Sequence, residues 1–169
     1  MKRTSSLDDF EEAWRWLDAR KFRAAIRFFM SASKKGDRGA TMMVGYCWDT
    51  GVPRSREKAL TWYRRAVAGG DASAAENIGV LFRDDGKHEL AMRWFRRALA
   101  MGSPEALFQI AKLQGGPTAR GAEAQASLRR MLRFKNLIPV VREDAERLLS
   151  KSRAQRRVRP FRKARHERQ

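Results

Sequence analysis

Between residues 8 and 135 the apolar positions recur with helical spacing, and no stretch alternates as a half-buried strand would. Ala40, Val44 and Trp48 are spaced i, i+4 and i+8, which places them on one face of a helix. Ala74, Ile78 and Phe82 repeat that face 34 residues on, and Ala106 and Ile110 follow after 32 more. A second pattern lies between them. Ala25, Phe28, Phe29, Ala32 and Gly36 reappear as Ala59, Trp62, Tyr63, Ala66 and Gly70, and again as Ala91, Trp94, Phe95, Ala98 and Gly102. A weaker fourth copy answers Ala91, Ala98 and Leu99 with Ala124, Met131 and Leu132. Five columns kept small where small and aromatic where aromatic mark stacked helix–turn–helix units. The pattern predicts an all-α chain of about eight or nine helices.

Each column has a packing purpose. Gly45 and Gly79 lack a side chain and let a neighbouring helix come close, at about 1 kcal/mol of helix propensity each. The aromatic pairs Trp62-Tyr63 and Trp94-Phe95 fill the space between layers, and the nearby Ala residues make room for them. Gly115-Gly116-Pro117 ends a helix, and Ala122 to Phe134 reads as the second helix of the last pair. Pro139 suits a first helical turn, and Val141, Ala145, Leu148 and Leu149 form a single apolar stripe after it. One apolar face is what the open end of a repeat array needs as a cap. The expected organisation is an extension over 1–7, a helical repeat domain of about four helix pairs over 8–135, a capping helix over 136–152 and a flexible basic tail over 153–169.

The segment Ala40-x3-Val44-Gly45-x2-Trp48-x2-Gly51-Val52, followed by Lys58-Ala59-x2-Trp62-Tyr63-x-Arg65-Ala66-x3-Gly70, resembles the Sel-one-like repeat, a relative of the tetratricopeptide repeat. The next copy, Ala74 to Gly102, has a shorter turn at Asp84-Asp85-Gly86, and the third has Ala111 in place of the glycine. The opening copy, with Phe10, Ala13, Trp14 and Leu17, is closer to the tetratricopeptide form. The resemblance implies a right-handed solenoid of antiparallel helix pairs that holds other proteins. It also implies that the first helix of each pair lines a concave groove. Copy by copy, that groove would present Met42, Met43, Tyr46 and Asp49, then Glu76, Asn77, Val80 and Arg83, then Glu105, Phe108, Gln109 and Lys112. Met42, Tyr46, Val80 and Phe108 are the expected anchors, with Arg83 and Lys112 pairing acidic groups at the rim.

Charge adds a second theme. The formal net charge is +18, from 37 Lys and Arg against 19 Asp and Glu. Residues 151–169 hold nine basic side chains and one acidic one, among them Arg153, Arg156, Arg157, Arg159, Arg162, Lys163 and Arg165. Arg64-Arg65 and Arg96-Arg97 are equivalent, with Arg93 a turn earlier, so a positive ladder runs along the second helices. Such a field draws polyanions or an acidic protein.

The remaining chemistry is sparse. One cysteine, Cys47, excludes an internal disulfide framework and a multi-cysteine metal site, and it reads as an inert core thiol in a reducing, cytoplasmic setting. His88 and His166 are too few for a metal site. The carboxylate pairs lie at helix starts and turns, and no glycine-rich phosphate loop occurs. No catalytic, cofactor-binding or metal-binding set is expected. Trp14 and Trp16 are two residues apart and face different sides of a helix; Trp16 is taken as the exposed anchor. The sequence thus points to a non-enzymatic module whose groove holds an acidic protein partner, as a small bacterial inhibitor or immunity-type protein does. The alternative is a nucleic-acid-associated adaptor that binds RNA or DNA through the tail.

Overall fold

The computed structural model describes residues 5–116, 119 and 121–158, with side chains as far as Ser152. All regular structure among these residues is helical: α1 (Ser6–Asp18), α2 (Phe22–Lys34), α3 (Arg38–Thr50), α4 (Arg56–Ala68), α5 (Ala72–Asp84), α6 (His88–Ala100), α7 (Ala106–Gly115), α8 (Ala122–Met131) and α9 (Pro139–Val158). They form two compact units, the first ending at Gly102 and the second beginning at Ser103.

Local signals set the helix ends in the first unit. Ser5 and Asp8 form a reciprocal capping box at α1. The Asp37 carboxylate accepts the Ala40 N–H at 2.8 Å to start α3, and Asp71 accepts the Ala74 N–H at 2.9 Å to start α5. The residue before each cap, Gly36 or Gly70, has φ of 98° or 91°, a left-handed conformation that side chains disfavour. The 34-residue period of the sequence is therefore also a period of turns.

Consecutive helices of this unit pack on one another from α1 to α6, and α1–α2, α3–α4 and α5–α6 are the closest pairs. One ring per pair sits at the centre: Phe29, Tyr63 and Phe95 are 0%, 1% and 0% exposed. A Cβ added at Gly45 would lie 2.6 Å from the Tyr63 ring, and one at Gly79 would lie 2.5 Å from the Phe95 ring. The glycines are thus required by direct contact between a backbone and an aromatic ring. In the first pair Phe29 meets rings instead, with Phe10 and Trp14 edge-on at 5.5 and 6.0 Å. Asp9 on α1, only 5% exposed, ties α1 to α2 by accepting from Ser31 and from Lys35 Nζ at 2.6 Å.

The aromatic pairs share the packing unequally: Trp62, which packs against the core, and Trp94 are half-buried, and the guanidinium groups of Arg65 and Arg97 lie over them at 5.3 and 5.1 Å. The indole outgrows the inner position, which the neighbouring Tyr63 or Phe95 already fills. Trp16 is not the exposed indole of α1: it packs against the core with its Nε1 buried, while Trp14 is 40% exposed.

In the second unit α7 packs on α8, and α8 on α9. Ala111 occupies the column held by Gly79, and Leu128 occupies that of Phe95; both are fully buried, as is Met131. Ala145 and Leu149 bring the apolar stripe of α9 onto this core. Gln125 and Ser152, both buried, share a hydrogen bond between α8 and α9. The backbone of α9 continues past residue 152, the expected end of the capping helix, to Val158.

Candidate functional site

Side chains of α1, α3 and α5, with the α1–α2 turn and the start of α2, line a groove of about 630 Å³ in the first unit. Trp14 and Leu17 of α1 form one wall, Phe22 closes the end near the α1–α2 turn, and Met42, Met43, Tyr46 and Thr50 of α3 line the other wall. Asn77 reaches in from α5, its amide 3.7 Å from the Met42 sulfur. Asp18 and Arg20 stand at the edge. Trp14 and Tyr46 are 40% and 39% exposed, so two large rings face solvent across an apolar floor. Rings with a polar tip suit that position, since they give contact area and a hydrogen-bonding group together.

Four groove residues expected from the sequence, Met42, Met43, Tyr46 and Asn77, are thus brought together. Met43 contributes little surface, being 6% exposed and part of the core, because it faces inward beside Val44 and Cys47. The others have prior engagements or lie apart. Asp49 binds Arg54 at 2.7 Å. Arg83 holds Asp84 at 2.9 Å, so its expected pairing with a partner's acidic group is already satisfied within the helix end. Glu76 and Val80 are half-buried and do not line the groove.

The sequence reasoning missed Trp14, Leu17, Asp18, Arg20 and Phe22. The repeat columns of α3, α5 and α7 were carried forward, whereas this wall comes from the opening pair, which does not share them. The signal available was the run Trp14 to Phe22, where two large apolar residues on α1, Trp14 and Leu17, precede a turn and a second ring.

Among the solved structures similar to the chain are two repeat proteins. One is a protective antigen present in uropathogenic Escherichia coli strains and displaying an SLR fold; it aligns with a TM-score of 0.58 and 24% identity over 76% of this chain and 30% of its own. The other, a Sel1 repeat protein from Oxalobacter formigenes, aligns with a TM-score of 0.59 and 20% identity over 78% of this chain and 59% of its own. The chain has the SLR fold. Neither a family model nor a curated protein sequence matches it. It spans less than two thirds of the length of either solved SLR protein.

The remaining expected groove residues belong to the second unit. Phe108, Gln109 and Lys112 lie on α7, with Glu105 just before it. Lys112 Nζ sits 5.4 Å over the Phe108 ring, and Glu105 accepts the Ile138 N–H at 3.3 Å. Of the basic residues expected to attract polyanions, Arg153, Arg156 and Arg157 fall on the last turns of α9. Arg159, Arg162, Lys163 and Arg165 lie outside the described residues.

Chemistry is confined to few groups. Cys47 is 1% exposed and burial pushes its thiol up to about 12, which keeps it protonated and unreactive at neutral pH. Tyr63 is likewise raised by burial. Among the described residues no cluster of three or more His, Cys, Asp or Glu could hold a metal ion, and no helix is long and apolar enough to cross a membrane.

Proposed function

We propose that this protein is a non-enzymatic interaction module that grips a segment of a protein partner in the α1–α3–α5 groove. The observation that carries the reading is the groove itself: six apolar side chains, two of them half-exposed rings, in a concavity of about 630 Å³. Partially exposed aromatic and Met side chains beside a few polar groups are the usual makings of a protein-binding hot spot. Asp18 and Arg20 give the rim one charge of each sign, so the segment held there presents apolar anchors between polar ends. The net charge of +18 favours an acidic surface around that segment and speeds its arrival without selecting it. An inhibitor or immunity-type protein would act by this kind of occlusion.

The test is selection of a displayed library of random 16-residue peptides against the full chain, followed by calorimetric titration of the enriched peptides. Enriched sequences should share two or more large apolar residues at helical or extended spacing. Their affinity should fall at least tenfold for Tyr46→Ala or Trp14→Ala, in line with about 2 kcal/mol for a desolvated anchor. Enriched peptides that bind these variants as tightly as the parent would overturn the groove assignment.

A further inference from the structure

The groove uses the first helix of each pair; the second helices carry a different surface. Arg64 and Arg65 on α4 recur as Arg96 and Arg97 on α6, with Arg93 one turn before the second pair, and all five are exposed. Arg65 and Arg97 lie over Trp62 and Trp94 in matching geometry, at 5.3 and 5.1 Å. Each guanidinium thus lies within cation–π distance of an indole while its residue remains exposed. Among the described residues no carboxylate pairs with Arg64, Arg93 or Arg96. Of the acidic residues of these helices, both in the first turns, Glu89 stands one turn before Arg93 without an ion pair to it, while Glu57 and Glu89 lie seven residues from Arg64 and Arg96. At 1.5 Å per residue that is about 10 Å, roughly a Debye length at physiological salt. The fourth copy of the repeat keeps the same two columns as Arg129 and Arg130.

We propose that this arginine ladder on α4 and α6 is a binding surface for the phosphate backbone of nucleic acid, separate from the groove and from the basic tail. Three features favour that occupant over an acidic protein. Identical charges repeated from copy to copy match a polymer whose charges are themselves periodic. The guanidinium fork is suited to phosphate oxygens. The face also lacks a protein-type anchor, since Leu90 in the first turn of α6 is the sole exposed large hydrophobic residue among those described on α4 and α6. With Trp62 and Trp94 covered by arginine, no ring is free to stack on bases, so the contact is to backbone and independent of sequence.

The experiment is a titration of the full chain with a 20-base-pair DNA duplex and a 20-nucleotide single-stranded RNA across salt concentrations. Each phosphate contact contributes about 0.9 to the slope of log affinity against log salt for duplex DNA and about 0.7 for a single strand. The triple variant Arg64→Gln, Arg93→Gln, Arg96→Gln should lower the duplex slope by about 2.7, or the RNA slope by about 2. It leaves Arg65 and Arg97 on their indoles, and the corresponding Arg→Lys triple should restore the slope because it keeps the charge. A charge-matched control, Lys34→Gln, Arg38→Gln, Lys87→Gln, removes exposed residues near turns and should change the slope by less than about 1. Equal losses in control and ladder variants would mean that net charge alone attracts the polymer, and would overturn the proposal. An unchanged slope in the ladder variant would do the same. Competition by poly-glutamate at equal total charge would assign the surface to an acidic protein instead. None of these outcomes involves Trp14 or Tyr46, so the groove reading stands or falls separately.

Discussion

The two units solve one packing problem in two ways. In the first, a glycine on α3 or α5 lies against the face of a ring on the following helix, and the ring is large because the glycine is absent of side chain: Gly45 with Tyr63, Gly79 with Phe95. In the second, the same columns hold Ala111 and Leu128, a larger residue in place of the glycine and a smaller one in place of the ring, and both are fully buried. Volume is conserved across the interface, not residue identity. What differs is the shape of the contact. A ring on a bare backbone permits one close approach, of α3 to α4 and of α5 to α6. The second unit takes its fixed geometry from elsewhere, through the buried Gln125–Ser152 hydrogen bond and the apolar stripe of α9.

Removing the ring should be the strongest way to break the first arrangement. Phe95→Ala is expected to cost about 3–5 kcal/mol in denaturant unfolding. Trp94→Ala, beside it in sequence but half-exposed under Arg97, should cost clearly less, and equal losses would show that the indole is as central as the phenyl ring. Gly79→Ala comes next, at about 1–3 kcal/mol, because the added methyl must displace the ring. In the second unit Gln125→Ala should cost about 1–3 kcal/mol by leaving the Ser152 hydroxyl buried without its partner, and Gln125→Leu should cost less if apolar packing can replace the pair. The smallest effect expected is at the capping box: Ser5→Ala should lose about 1 kcal/mol or less. The carboxyl of Asp8 is held below its ordinary value by the Ser5 N–H and hydroxyl, so the contribution of the box is present at neutral pH and is lost as acid protonates Asp8.

The helix pairs, their period and the Gly–ring columns were legible in the sequence because packing repeats wherever residues repeat. The choice between adjacent aromatics was not. Tyr63 and Trp62 are both apolar enough for the interior, and it is Tyr63 that fits against Gly45 while the larger indole stays half-buried beside Arg65. Trp14 and Trp16 exchanged their expected positions for a related reason. They belong to the opening pair, where Phe29 meets rings in place of a glycine, so later copies give no template for α1. The groove was half legible on the same grounds: its α3 wall follows the repeat, and its α1 wall does not. The extension of α9 past residue 152 was hidden because Arg, Lys, Gln and Ala form helices readily without an apolar stripe.

Gly79 and Phe95 act as one steric unit, and the Ala–Leu combination of the second unit is its alternative. A double-mutant cycle of Gly79→Ala and Phe95→Leu, read by denaturant unfolding, tests it directly. If the claim holds, the double variant recreates the Ala111–Leu128 combination and is less destabilised than the sum of the single variants, by about 1 kcal/mol or more. Additivity within about 0.5 kcal/mol would contradict it, since the two positions would then contribute to stability independently.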